Sequence, residues 1–180
     1  MPATTSQGSG RPAPRNLQDK KDNMPKFNVT REVPHTVEQV FHIASDVANY
    51  RAFLPLVKRS AVRNRKSLPD GRETFEAELT VAYKKLGIEE TMTSHVTVDP
   101  ATHTVTSRCS DGPVKELLAV WKINPAGASA SEIEFTVDYA LKSRSLQFIL
   151  SGMFDMIVRR IMSAFEARVK QIYGKAVAMR

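Results

Sequence analysis

Few residues in this chain are placed to do chemistry. His35, His42, His95 and His103 stand on different stretches, none with a second ligand at the spacing a metal ion requires. No Ser-His-acid or Cys-His pairing can be argued from the order of residues, and no glycine-rich loop lies between a strand and a helix. Cys109 is the single cysteine; it rules out an internal disulfide, fits a reducing compartment and has no activating neighbour. The residue that stands out is a carboxylate in an apolar row. Between Leu86 and Val98 the even-numbered positions are apolar except for Glu90 and Ser94, and a carboxylate aimed at a core must find a partner or a water-filled space. Two readings stand. Either the strand is bulged or near an edge and Glu90 faces solvent, or Glu90 borders a cavity and hydrogen-bonds the head of a ligand. Trp121, the only tryptophan, poses the same choice between core and cavity wall.

The elements that must position Glu90 follow from periodicity. Phe27, Val29, Arg31 and Val33 alternate with polar neighbours, a first strand that Pro34 stops. Thr36 with Gln39 reads as a capping box, and Val37, Val40, Phe41 and Ala44 give the next helix one apolar face. Asp46 is placed to cap a second short helix, Val47 to Phe53, which Pro55 ends. Tyr50, Phe53, Leu54, Pro55 and Leu56 then form a bulky, lid-like cluster. From Val57 onward the period becomes two, as in Phe75, Ala77, Leu79, Val81 and Tyr83 or in Ile133, Phe135, Val137, Tyr139 and Leu141. Turns at Leu68-Pro69-Asp70-Gly71, Asp99-Pro100, Asp111-Gly112-Pro113 and Asn124-Pro125-Ala126-Gly127 divide this run into about six strands joined as hairpins. Successive hairpins predict an antiparallel sheet with one apolar face.

One long helix is left to cover that face. From Ser145 to Tyr173, Leu146, Ile149, Leu150, Met153, Ile157, Ile161, Phe165, Val169 and Ile172 recur at steps of three and four. Ser143 or Ser145 can cap its start and Gly174 suits its end. At 1.5 Å per residue it is roughly 43 Å long, enough to span a sheet. In its first half Phe148, Phe154, Met156, Val158 and Met162 broaden the apolar surface beyond what a sheet contact needs, so this part is either wide core or core that also lines a cavity. Asp155 and Arg159 cut the apolar run well short of the ~20 residues that cross a bilayer. The predicted order is β-α-α-β6-α, an α+β architecture in which a curled sheet wraps the C-terminal helix and leaves a gap beneath it.

Residues 1–23 are rich in Ser, Thr, Pro, Gly and Gln and hold Leu17 as the only large aliphatic beyond Met1. They cannot bury enough apolar surface to offset ordering, so they read as a disordered extension, neither a secretory signal nor an Arg-rich presequence. Met24 opens the globular pattern and is a candidate natural start; the domain is expected over 24–174, with a tail at 175–180. Arg11, Arg15, Lys20 and Lys21 stand against Asp19 and Asp22 in the extension, so most of the formal +7 charge lies in the domain. Its cations are spread rather than clustered, which permits contact with anionic membranes or RNA, and no DNA partner is expected.

Several stretches together carry a family resemblance: FHIASDVANYRAFLPLVKRSAV, the strand pair ELTVAYKKLGIEETMTSHV, DGPVKELLAVWKI, and FTVDYALKSRSLQFI leading to FEARVKQIYG. Over Met24 to Gly174 the chain resembles the Coq10/RatA family of polyketide cyclase-like START domains, within the SRPBCC superfamily. The resemblance implies a helix-grip fold enclosing an apolar tunnel. It implies non-enzymatic chaperoning of a polyprenyl quinone such as ubiquinone in support of respiration, in a cytoplasmic protein lying peripherally on the inner face of the respiratory membrane. The family's tryptophan maps to Trp121, its glutamate to Glu90, and its YxxF-x-P element to Tyr50, Phe53 and Pro55. Two departures, Leu56-Val57 after that proline and Val114 after Gly112-Pro113, reshape an apolar wall.

The expected ligand site places the isoprenoid tail along Met153, Phe154, Ile157 and Ile161, opposite Leu79, Val81, Met92 and Trp121. Tyr50, Phe53 and Leu54 would gate entry and touch the membrane. Two rivals remain: a ribosome-associated toxin of the RatA type acting on the large subunit, and a cyclase or hydrolase that needs Glu90 buried beside a second polar group.

Overall fold

Alternation and turn chemistry produce the expected order. The computed structural model describes residues 26–174; the disordered extension assigned to 1–23 and the tail at 175–180 lie outside the described residues. Strand β1 (Lys26–Val33) leads through helix α1 (Val37–Ser45) and a 3₁₀ segment (Val47–Ala52) into β2 (Val57–Ser67), β3 (Glu73–Tyr83), β4 (Ile88–Asp99), β5 (Thr104–Cys109), β6 (Val114–Pro125) and β7 (Ser131–Leu141). Helix α2 (Arg144–Tyr173) closes the order, with a short 3₁₀ turn at Lys84–Leu86 between β3 and β4. The strands form one antiparallel sheet in the order β1-β7-β6-β5-β4-β3-β2. Because β1 and β2 occupy opposite edges, α1 and the 3₁₀ segment carry the chain across the concave face. The result is an α+β helix-grip fold.

Local signals account for the element ends. The α1 capping box forms, with Thr36 Oγ1 accepting from the Gln39 amide at 3.4 Å and Gln39 Oε1 from the Thr36 amide at 3.1 Å. Asp46 does not cap: its carboxylate takes the Asn49 side-chain amide at 2.8 Å, and the segment that follows is 3₁₀ rather than α. Ser143 Oγ accepts from the Leu146 amide at 3.2 Å and so starts α2. Edge strand β2 carries two register shifts, at Val57/Arg59 and Arg63/Lys66, which bend it and spoil its outer edge as a template for other chains. Its cations are largely occupied, by Glu89 with Lys58 at 2.8 Å, Glu78 with Arg63 at 3.1 Å, and Glu73 with Arg65. Pairs this exposed add at most about 1 kcal/mol each. Their larger effect is to mask the basicity that the sequence of β2 suggests.

The core sits under the second half of α2. Val158, Met162, Phe165 and Val169 are fully buried. Phe165 stacks on Trp121 with ring centroids 4.9 Å apart, Trp121 lies 4.3 Å from Phe135, and Phe53 meets Phe165 edge-on at 6.0 Å. Burying a side chain of this size stabilises by about 1.5–3 kcal/mol, with more from the aromatic geometry. Tyr50 packs on Phe53 at 5.8 Å and donates its hydroxyl to the Ala44 carbonyl at 2.6 Å. Burial pushes the ionisation of that phenol far up, so it stays a neutral donor.

Candidate functional site

Under the first half of α2 the interior is not filled. A cavity of about 130 Å³ lies between the β3–β4 hairpin, the turn before β6 and the first turns of α2. Val81, Tyr83, Ile88, Glu90 and Met92 form its sheet side, Leu146, Ile149, Leu150, Met153 and Ile157 its helix side, and Pro113, Val114 and Leu141 its end wall. Leu56, Ala82 and Leu86 complete it. Among these, only Glu90 and Tyr83 bear polar side-chain atoms. The β3–β4 register runs without a shift through the pairs Val81–Glu90 and Leu79–Met92, so no bulge turns Glu90 outward. Glu90 is half-buried in the wall, and among the described residues no cation pairs with it. A carboxylate in that setting can accept a hydrogen bond from a hydroxyl-bearing guest and repels an anionic one.

The expected site residues divide into two groups. Val81, Glu90, Met92, Met153 and Ile157 line this cavity. Trp121 does not: it belongs to the packed aromatic cluster with Phe135 and Phe165. Phe154 leans to the other side of α2, stacked on Tyr139 at 4.6 Å and against Phe27 at 5.3 Å. Leu79 and Ile161 are half-buried against the core rather than in the wall. Tyr50 and Leu54 are buried core residues, and Phe53 and Pro55 border a separate shallow surface groove with Arg159 and Arg160. The expected lid therefore stands at the packed end of the helix, away from the cavity. The physical reason is aromatic packing, because Phe53 is drawn onto Phe165 and Tyr50 onto Phe53.

The mouth lies elsewhere. Leu86 and Ile149 line the cavity yet remain 44% and 40% exposed, and neighbouring Phe148 is 83% exposed. Isolated exposed apolar residues are ordinary, but three at the rim of one apolar cavity are not. Leu146, Ile149 and Leu150 belong to the helical stripe visible in the sequence, Tyr83 shares the alternating face of Val81, and Leu56 and Val114 are the departures expected to reshape an apolar wall, whereas Pro113 carried no signal of its own.

Two features hold this wall in shape. Leu56 adopts φ 68°, a left-handed conformation costly for a branched aliphatic residue, and its carbonyl accepts from the Ala82 amide at 2.8 Å. Gly112, at φ 58°, brings its backbone so close to β4 that a Cβ there would stand 2.4 Å from the Thr91 carbonyl oxygen. The same turn is fastened by the Asp111 carboxylate, which accepts from the Thr93 amide at 3.1 Å. Hydrogen bonds from the Gly112 amide, and then from Thr93, hold the Asp111 carboxyl below the usual aspartate range. Lys142 Nζ donates to the Gly112 carbonyl at 2.7 Å and ties the turn to the start of α2. Among the described residues no three His, Cys, Asp or Glu side chains gather as a metal site, and no helix is long and apolar enough to cross a membrane.

Similar proteins share both the sequence and the shape. Residues 33–166 match the family described as polyketide cyclase / dehydrase and lipid transport. The ribosome association toxin RatA of Escherichia coli is 28% identical over 151 residues, covering 84% of this chain and 90% of that protein. The mitochondrial coenzyme Q-binding protein COQ10 of Drosophila melanogaster is 32% identical over 146 residues, 79% of this chain and 57% of that protein. Among solved structures, an 18 kDa protein from Caulobacter crescentus superposes with a TM-score of 0.71 at 27% identity, covering 84% of this chain and all of the other.

Proposed function

The chain belongs to the polyketide cyclase / dehydrase and lipid transport family, and from that premise we propose that it binds a polyprenyl quinone of the ubiquinone type without transforming it. One observation carries this reading: an apolar cavity with a single carboxylate in its wall, opening to the surface past exposed Leu86, Ile149 and Phe148. The name of the Drosophila relative, which binds coenzyme Q, supports it.

Size decides how much of the ligand the cavity takes. An aliphatic-lined cavity of about 150 Å³ admits benzene, so about 130 Å³ admits one group of that order and not a whole chain. At ~0.8 kcal/mol per methylene, a buried five-carbon unit gives about 4 kcal/mol, which corresponds to a Kd on the order of millimolar. Tighter binding needs more contact. One tail unit therefore packs among Val81, Met92, Met153 and Ile157, and the rest of the ligand lies across the apolar rim. Glu90 and Tyr83 then face its polar part: the Tyr83 hydroxyl can donate to a quinone carbonyl, whereas the Glu90 carboxylate accepts only from the hydroxyls of the reduced quinol and disfavours an anionic lipid head.

The test is mass spectrometry of an organic extract of the purified protein, beside Ile157→Lys. A polyprenyl lipid in the parent and its loss from a folded Ile157→Lys variant are expected. Absence of lipid from the parent, or equal lipid in both, overturns the proposal. A second reading, ribosome association, is favoured by the RatA relative because the match spans 90% of that protein. It requires salt-sensitive co-sedimentation with large ribosomal subunits that survives Ile157→Lys.

A further inference from the structure

We infer that the cavity mouth is a docking surface for an anionic lipid bilayer, through which the guest enters. The inference builds on the ligand reading above but stands on different observations. Leu86 is at the tip of the β3–β4 hairpin and Phe148 and Ile149 are in the second turn of α2; the cavity joins these two elements, and all three side chains are exposed. Aliphatic and aromatic tips of this kind gain by entering the acyl boundary of a bilayer.

Most of the exposed charges around them are positive. Lys84 and Lys85 precede Leu86 on the hairpin tip, and Lys142 and Arg144 precede Phe148; all four are exposed. Of the acids nearby, Glu89 is paired with Lys58 at 2.8 Å and Asp111 accepts from the Thr93 amide, while Glu90, which no cation pairs among the described residues, lines the cavity behind the rim. Arg144 is also misplaced for the helix itself. It is the first residue of α2, whose first turn holds no acid, so a cation sits at the positive end of the helix dipole. That costs the helix a little and adds to a positive rim. Each basic residue near an anionic surface raises partitioning about fivefold, an effect that salt screens. Since the cavity admits only one unit of a long chain, a mouth seated on lipid leaves the remainder of the guest in the bilayer.

The experiment is co-sedimentation of the full chain with vesicles of phosphatidylcholine alone or mixed with phosphatidylglycerol, at low and high salt. Binding to the mixed vesicles only, lost at high salt, is expected. Lys84→Glu with Lys85→Glu should lower it by about 25-fold or more, and Phe148→Asp should abolish it. Both sites are exposed, so circular dichroism should stay unchanged. Ile172→Asp, an equally exposed aliphatic at the far end of α2, should bind like the parent. No binding to anionic vesicles, or equal losses in Ile172→Asp and Phe148→Asp, overturns the docking surface. So does the finding that the Lys84, Lys85 and Phe148 variants lose ribosome co-sedimentation while vesicle binding is unaffected. Extracts separate the two proposals: lipid-laden protein that ignores vesicles sinks docking alone, and vesicle binding by lipid-free protein sinks the ligand reading alone.

Discussion

From Val158 to Val169, helix α2 buries a side chain completely at every turn; from Leu146 to Ile157 it buries none to that degree. Both halves are rich in apolar residues, so hydrophobicity does not explain the contrast. What faces them does. The second half meets Trp121 and Phe53, rings that reach Phe165; the first half meets rings only on the side of Phe154, and on its cavity side it meets Val81, Met92 and Val114, which leave space. One helix thus divides its work. Its packed half supplies fully buried core, and its open half borders the cavity.

The sharpest way to break this contrast is Phe165→Ala. Removing a fully buried ring from between Trp121 and Phe53 should cost about 3–5 kcal/mol, read as a lower midpoint in urea unfolding. A loss below about 1 kcal/mol would show that the packed half is not what stabilises the protein. Next in size is Gly112→Ala. The new methyl collides with the Thr91 carbonyl in a left-handed backbone, so about 2 kcal/mol is expected, together with altered guest content, because Pro113 and Val114 of the cavity wall move with the turn. Met153→Ala, in the open half, should cost only about 1 kcal/mol, since a half-buried side chain beside an existing void loses few contacts. Guest binding should change more than stability there. The reverse order for Met153 and Phe165 would invert the division proposed for the helix.

The sequence revealed the frame more fully than the site. Alternation from Phe75 to Tyr83 and from Ile133 to Leu141, with turns of Asp, Pro and Gly between strands, was sufficient for the antiparallel sheet, and the spacing from Leu146 to Tyr173 for the helix. The same spacing could not choose between neighbouring faces. Met153 and Phe154, Ile157 and Val158, and Ile161 and Met162 are adjacent apolar pairs, and a period of 3.6 fits either member. The structure gives Met153 and Ile157 to the cavity and Val158 and Met162 to the core. Glu90 was legible as an anomaly because alternation fixes its face once the register is continuous. Tyr50 and Phe53 misled, since bulk near a loop reads equally as a lid or as core; only the packing of Phe53 on Phe165 and of Tyr50 on Phe53 decides. The left-handed backbone at Leu56 was not legible, because nothing in its type announces a positive φ.

The smallest expected effect concerns how the wall is fastened. Hydrogen bonds from the backbone amides of Gly112 and Thr93 lower the Asp111 carboxyl below its ordinary range, so the ionised form favours the folded turn. A depressed folded-state pKa contributes stability above the unfolded value, and that contribution disappears as pH falls through the folded one. Asp111 is exposed and screened, so Asp111→Asn should lower the melting temperature slightly at neutral pH. The gap between parent and variant should close in acid below the usual aspartate range. Phe165→Ala, whose loss is packing alone, should show a deficit that does not change over the same pH window. A gap for Asp111→Asn that persists in acid would mean the turn is held by shape, through Gly112, and that the open half of the molecule is braced by sterics just as the packed half is.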